Sequence, residues 1–125
     1  MPAVLSFDHL VLISDDVDAT LLWYGRHAGL DGVRVEEWRA GQAPFPSLRV
    51  TETLIIDVIP GGVAGRGHLD HLCFVVSGAD LEALAADPDL VVEDEGPRFG
   101  AQGVAQSIYV RDPDGLLVEF RAYPT

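Results

Sequence analysis

Apolar residues along this chain fall into short runs at two spacings, one period suited to strands and one to helices. Leu5 to Ile13 (L-S-F-D-H-L-V-L-I) is an apolar strand interrupted by a single histidine, His9. Ser14 to Asp18 supplies capping residues, and Ala19 to His27 places Leu22, Trp23 and Arg26 at helical spacing until Gly29 stops the helix. Gly32 to Ala40 and Ser47 to Ile59 read as strands about a loop that holds Gly41, Pro44 and Pro46. Pro60-Gly61-Gly62 closes this stretch, and the residues to Gly67 read as a linker. Leu69 to Val76 (L-D-H-L-C-F-V-V) then begins again as an apolar strand with one histidine, His71. Gly78 to Ala86 reads as a second helix with Leu81, Leu84 and Ala85 inward, stopped before Pro88. Leu90 to Asp94 reads as a short strand and Gly96 to Gly103 as a loop. The stretch Ser107 to Tyr123 reads as strand, tight turn at Asp112-Pro113-Asp114-Gly115, and strand.

The pattern is one unit used twice. A shift of 62 residues lays Phe7-Asp8-His9-Leu10 over Leu69-Asp70-His71-Leu72, and Leu54-Ile55-Ile56-Asp57-Val58 over Leu116-Leu117-Val118-Glu119-Phe120. Asp18 falls on Asp80 and Arg49 on Arg111 at the same shift. Both a histidine strand and a carboxylate strand therefore recur at one offset. The expected organisation is a single domain with module one over 5–60, a linker over 61–67 and module two over 68–124.

Glu119 is the residue that most needs an explanation. A carboxylate in a strand of Leu, Val and Phe either faces water or has a partner, because burying it alone costs several kcal/mol. The plainest reading is a solvent-facing stripe of Leu117, Glu119 and Arg121, with Arg121 as ion-pair partner; the sharper one is a metal ligand. The repeat favours the second. Two halves packed about a pseudo-twofold axis would bring His9, His71, Asp57 and Glu119 toward one centre. Two imidazoles with one or two carboxylates suit Fe, Mn, Co, Ni or Zn as a divalent ion. Alternation agrees, placing Phe7, His9 and Val11 on one face, as it does Leu69, His71 and Cys73.

Composition narrows the alternatives. The chain has 125 residues, 48% hydrophobic and 22% charged, as a folded domain has, and no apolar run nears the roughly 18 to 20 residues of a membrane span. A formal charge of −12 with dispersed cations argues against a nucleic-acid partner. The eight cations are all arginine, so neither a lysine Schiff base nor a P-loop lysine is available. G-x-G-x-x-G and G-x-S-x-G are both absent. Cys73 is the single cysteine, which excludes an internal disulfide and fits a reducing, cytoplasmic setting.

The strands F-D-H-L-V-L and L-D-H-L-C-F, the helix D-V-D-A-T-L-L-W-Y and the closing E-G-P-R-F-G-A-Q-G-V-A-Q-S-I-Y-V-R-D-P-D-G-L-L-V-E-F together resemble the vicinal oxygen chelate superfamily. That superfamily includes glyoxalase I, extradiol dioxygenases and bleomycin-resistance proteins, and the resemblance is closest to its small single-chain glyoxalase-domain members. It implies an α+β fold of two tandem βαβββ modules forming a cupped half-barrel sheet with helices outside, and a homodimer. It places the metal on His9, His71 and Glu119, and puts Asp57 where glyoxalase I carries a fourth ligand, a glutamate one methylene longer.

The implied function is a metal-dependent enzyme that binds vicinal oxygens of a small substrate, with glyoxalase-like lyase or isomerase chemistry or dioxygenase chemistry. Glu119 or Asp57 would move the proton as general base. The alternative is a metal-free protein that binds a drug or metabolite, for which retention of the three ligand positions has no use. A purely structural or interaction domain leaves polar groups on apolar strands without a purpose. Other residues carry weaker readings. His27 and His68 are spare histidines, Tyr109 is a candidate proton donor, and Cys73 reads as an inert thiol. Trp38, Phe45 and Phe99 are candidates for a cavity mouth, Trp23 and Tyr24 for packing, and Arg98 for a substrate carboxylate or plain exposure.

Overall fold

The computed structural model describes residues 1–62, 67–111 and 116–125. The turn expected at 112–115 and most of the expected linker, 63–66, lie outside the described residues. The chain runs β1 (Ser6–Ser14), α1 (Val17–Ala28), β2 (Asp31–Val33), α2 (Val35–Arg39), β3 (Ser47–Thr51), β4 (Leu54–Pro60), β5 (Leu69–Val75), α3 (Gly78–Ala86), β6 (Asp94–Gly100), β7 (Gly103–Arg111) and β8 (Leu117–Ala122). It is α+β; a strand, a helix and three further strands occur in each half, and the first half adds the short helix α2 between its second and third strands. The chain forms two compact units, one of Leu10–Asp70 and one of Met1–His9 with His71–Thr125. Among the described residues no helix is long and apolar enough to cross a membrane.

In the unit Leu10–Asp70 the strand order is β2-β3-β4-β1. Asp16 caps α1 by accepting from the Ala19 N–H at 3.0 Å, and Gly29 ends it in the left-handed region at φ 68, where a residue without Cβ pays no steric penalty. β3 and β4 pair antiparallel with Ser47 opposite Asp57 and Leu48 opposite Ile56. Leu48 and Val58 are buried with Val17 of α1, and Leu21, Tyr24, Leu30, Trp38 and Ile56 pack against them. Alternation then turns Ser47 and Asp57 to the opposite face.

The expected strand from Gly32 to Ala40 is corrected to a three-residue strand followed by a short helix. Arg34 sits at φ 58, which no strand tolerates, and Glu36 meets Arg39 one helical turn later at 3.0 Å. The expected single run from Ser47 to Ile59 is two strands, broken at Glu52 and Thr53.

In the other unit the order is β1-β5-β8-β7-β6, with Ser6 to His9 of β1 taking part. β5 and β8 are parallel and set Cys73 beside Glu119, while β8 and β7 are antiparallel and set Glu119 beside Tyr109. Ser77 caps α3 through the Asp80 N–H at 3.1 Å. Val76, Leu81 and Ile108 are buried together, with Leu84, Val92, Phe120 and Ala122 against them. Each such buried aliphatic side chain contributes about 1.5–3 kcal/mol relative to exposure. Phe120 and Ala122 thus fill one face of β8, which leaves Glu119 and Arg121 on the other.

The loop expected from Gly96 to Gly103 is corrected to a strand and a tight turn, and Leu90 to Glu93 is not a strand. β6 pairs with β7 from Asp94 opposite Tyr109 to Gly100 opposite Gly103, with Gly103 at φ 97. Pro97 is tolerated because β6 lies at the end of the strand order, where one side of the backbone needs no ladder partner.

Candidate metal centre

The site is built on three strands of one unit. β1 delivers Asp8 and His9, β5 delivers His71 and Cys73, and β8 delivers Glu119 and Arg121. Their register brings three donor atoms together. His9 Nε2 lies 3.1 Å from Glu119 Oε1, His71 Nε2 lies 3.2 Å from the same oxygen, and the two Nε2 atoms are 3.3 Å apart. Donors held about 2.0–2.1 Å from one ion at angles of about 90–110° stand roughly 3.0–3.4 Å from each other, so this triangle has the size an ion requires.

Glu119 Oε1 is fully buried and is left without a hydrogen-bond partner, although two imidazole nitrogens stand within 3.2 Å. An unsatisfied carboxylate oxygen in such a place costs free energy that a cation would return. The residues present therefore fit a divalent ion. His9, His71 and Glu119 are one of two groups among the described residues close enough to hold a metal; Asp8, His9 and Cys73 are the other.

The remaining atoms of Glu119 are firmly held. Ser107 Oγ donates to Oε2 at 2.7 Å and Arg121 Nη1 donates to it at 3.1 Å. Burial alone would raise the Glu119 pKa, but His71, His9 and Ser107 around it hold the carboxyl well below the usual carboxylate range. Arg121 is itself completely buried, and its guanidinium donates to the carbonyls of Arg98 at 2.7 Å, Gly103 at 3.0 Å and Phe99 at 3.3 Å. The solvent-facing stripe is therefore corrected: Glu119 and Arg121 are both 0% exposed, and their ion pair is internal.

Behind His9 stands Asp8, also 0% exposed. Its Oδ2 lies 2.7 Å from His9 Nδ1 and accepts the Ala101 N–H at 3.0 Å, its Oδ1 accepts the Tyr123 hydroxyl, and Arg121 Nε is 3.9 Å away. Burial opposes ionisation of Asp8, and the bonds from His9, Tyr123 and Ala101 with the Arg121 charge outweigh it, so its pKa is lowered. Gly100 closes the cluster. A Cβ there would lie 2.5 Å from the Arg121 guanidinium and 2.6 Å from Asp8 Oδ2, so the backbone can come this near only as glycine.

Asp57 is 2% exposed and accepts from Ser47 Oγ across β3 and β4. Cys73 is fully buried, and burial with the Glu119 and Asp8 charges pushes its thiol pKa up, as an inert thiol requires. Tyr109 rests edge-on to His71 at 5.7 Å between centroids, and burial beside Glu119 raises its pKa, so its phenol is neutral. Arg98 pairs with Asp94 at 2.9 Å and lies over the Tyr109 ring.

Trp38 is on α2, packed against the Leu48 cluster, and Phe45 lies beneath Arg34. Tyr24 packs as expected, but Trp23 is 55% exposed, tilted against His27 at 5.2 Å. His68 Nδ1 is 3.5 Å from the Ile13 carbonyl, and with Trp23 and Tyr24 it borders a surface cleft of about 450 Å³ in the unit Leu10–Asp70. Asp8, Ser107, Tyr123 and the buried role of Arg121 are missed from sequence. The repeated Asp-His pair at Asp8-His9 and Asp70-His71 is the signal that could have drawn attention to Asp8.

Comparison with known proteins gives one family. The model of the Glyoxalase/Bleomycin resistance protein/Dioxygenase superfamily matches residues 6–120. A glyoxalase domain-containing protein of Mycosarcoma maydis is 34% identical over 97% of this chain and 70% of its own length. A virulence protein of Salmonella typhimurium is 32% identical over 93% of this chain and 83% of its own. Among solved structures, methylmalonyl-CoA epimerase from Mycobacterium tuberculosis shares the fold with a TM-score of 0.70 at 19% identity, covering 98% of this chain and 90% of that one.

Proposed function

The chain belongs to the Glyoxalase/Bleomycin resistance protein/Dioxygenase superfamily, and from that premise we propose that it is a metal-dependent enzyme acting on a small substrate with vicinal oxygens. The observation that carries the proposal is the triangle of His9 Nε2, His71 Nε2 and Glu119 Oε1 with its unsatisfied buried oxygen. A divalent ion held there would supply Lewis acidity for lyase or isomerase chemistry, or dioxygen chemistry if the ion is iron.

The chain's own residues do the rest. His9 and His71 offer one nitrogen each, and Glu119 offers one oxygen while Ser107 and Arg121 occupy the other. Three protein donors leave the remaining coordination positions to substrate. Either Glu119 or its repeat partner Asp57 is the carboxylate proposed to move a proton. For Asp57 the support is its place in the repeat and its burial. Tyr109, a neutral phenol against His71, is available as a proton donor to a substrate oxygen. The active form is proposed as a cytoplasmic homodimer, supported by the lone cysteine and by the habit of the superfamily.

The test is elemental analysis of protein purified without chelator or metal-affinity column, repeated on His71→Ala. We expect about one equivalent of a transition metal, lost in the variant. No metal after reconstitution with Fe, Mn, Co, Ni and Zn in turn would sink the enzyme reading in favour of a metal-free binder of a drug or metabolite.

A further inference from the structure

Two of the three donors need help that the third atom of the triangle does not explain. An imidazole binds a cation only through a nitrogen that carries no proton, so a neutral histidine must keep its one proton on the other nitrogen. At His9 something decides which. Nδ1 stands 2.7 Å from Asp8 Oδ2, and a carboxylate oxygen there can only accept, so the proton belongs on Nδ1 and the lone pair on Nε2.

Asp8 is fixed from several sides. Oδ2 also takes the Ala101 N–H at 3.0 Å, Oδ1 takes the Tyr123 hydroxyl, and Tyr123 is held in turn by the Gln102 N–H at 3.0 Å. Arg121 stands between Asp8 and Glu119, 3.9 Å from one carboxylate and 3.1 Å from the other. The turn at Ala101 and Gln102 is itself pinned through the carbonyls of Arg98, Phe99 and Gly103 on that same guanidinium. Rotating Asp8 away from His9 would break its bonds to Ala101 and Tyr123 together, with Asp8, Ala101 and Arg121 buried and Tyr123 partly buried. A surface ion pair has no such constraint.

We propose that Asp8 is a positioning residue that keeps His9 in its Nδ1–H tautomer and so presents the Nε2 lone pair to an ion shared with His71 and Glu119. The proposal rests on the metal reading above. Asp8 touches neither ion nor substrate; it acts through His9.

Two measurements test it. The first is the tautomer of His9 in the unsubstituted chain stripped of metal, read from ¹⁵N imidazole shifts and their two-bond couplings. A proton on Nδ1 is expected, and a neutral His9 whose one ring proton sits on Nε2 overturns the proposal without any variant having to fold. The second is Co(II) affinity, read from visible absorption. Asp8→Ala is expected to weaken Co(II) binding by about 10–100-fold and to mix the His9 tautomers. Asp8→Asn, whose amide oxygen can still accept from Nδ1–H, is expected to recover part of both. Asp8→Ala binding Co(II) as tightly as the unsubstituted chain overturns the proposal while the metal reading stands. An unsubstituted chain that binds no Co(II) or any of the other ions removes the metal reading itself, and this proposal with it.

Discussion

Strands β4 and β8 occupy the same place in the two halves of the repeat, and each buries a carboxylate on the face turned away from its helix. Asp57 and Glu119 are 2% and 0% exposed, and each accepts from a serine on the neighbouring strand, Ser47 and Ser107. There the likeness ends. Glu119 has a buried arginine two residues on, in Arg121, where the repeat places Ile59 on β4. Arg121 takes up Oε2 together with Ser107, and Oε1 is left facing two imidazoles. Under the proposed metal reading one side chain is thus made into a single-atom donor by what surrounds it, and residue type at a repeated position does not by itself decide chemistry. The support does.

The largest effect that could break this contrast is on stability. Arg121→Met removes the partner of two buried carboxylates and leaves the carbonyls of Arg98, Phe99 and Gly103 without their donor. A loss of about 3–5 kcal/mol is expected in urea unfolding of the metal-free chain. Ile59→Met at the matching position should cost less than about 1.5 kcal/mol, because it conserves volume and disturbs no charge. Equal losses at the two positions would mean that Arg121 carries nothing special.

Next in size is metal binding itself. Glu119→Ala is expected to weaken Co(II) binding by more than about 100-fold, since even groups that only support a ligand are worth 10–100-fold. Asp57→Ala is expected to change the affinity by less than about tenfold, yet to lower turnover on a substrate once one is found by roughly 10²–10⁴, the usual value of a positioned proton carrier. Full Co(II) affinity in Glu119→Ala would remove it from the ligand set, and unchanged turnover in Asp57→Ala would end its catalytic role.

Much of this was legible in the residues. The apolar runs around His9 and His71, the caps at Asp16 and Ser77, and the offset linking Asp57 to Glu119 all depend on local chemistry or on self-similarity, which a sequence displays directly. β6 was not legible, because Gly96, Pro97 and Gly100 carry turn composition, and only the pairing with β7 makes them a strand. Arg34 hid α2 in the same way, since a left-handed arginine inside a Val-rich stretch has no local signature. Arg121 was misplaced for a different reason. In one dimension Glu119 and Arg121 alternate like exposed residues, and their burial follows from partners on β1, β6 and β7 that lie far along the chain: acceptors for Arg121 on Asp8, Arg98, Phe99 and Gly103, and the Ser107 hydroxyl that donates to Glu119. Charge on a strand face shows that a partner is needed, and the fold alone shows how many partners arrive.

The finest test of the contrast uses the two serines. Ser47→Ala and Ser107→Ala each delete one hydrogen bond to a buried carboxylate, a change worth about 1.5–3 kcal/mol of stability in either place. If the chemistry lies only in β8, the two variants should separate on metal affinity. Ser107 holds Oε2 of the proposed ligand, so its loss lets Glu119 turn, but Arg121 keeps the same oxygen at 3.1 Å and limits the turn. A weakening of Co(II) binding near the low end of 10–100-fold is therefore expected for Ser107→Ala, and a far smaller one for Ser47→Ala. Isothermal titration of both variants with Co(II) decides it. Equal weakening would show that the Asp57 strand supports the ion as much as the Glu119 strand does, and the asymmetry between the two halves would have to be given up.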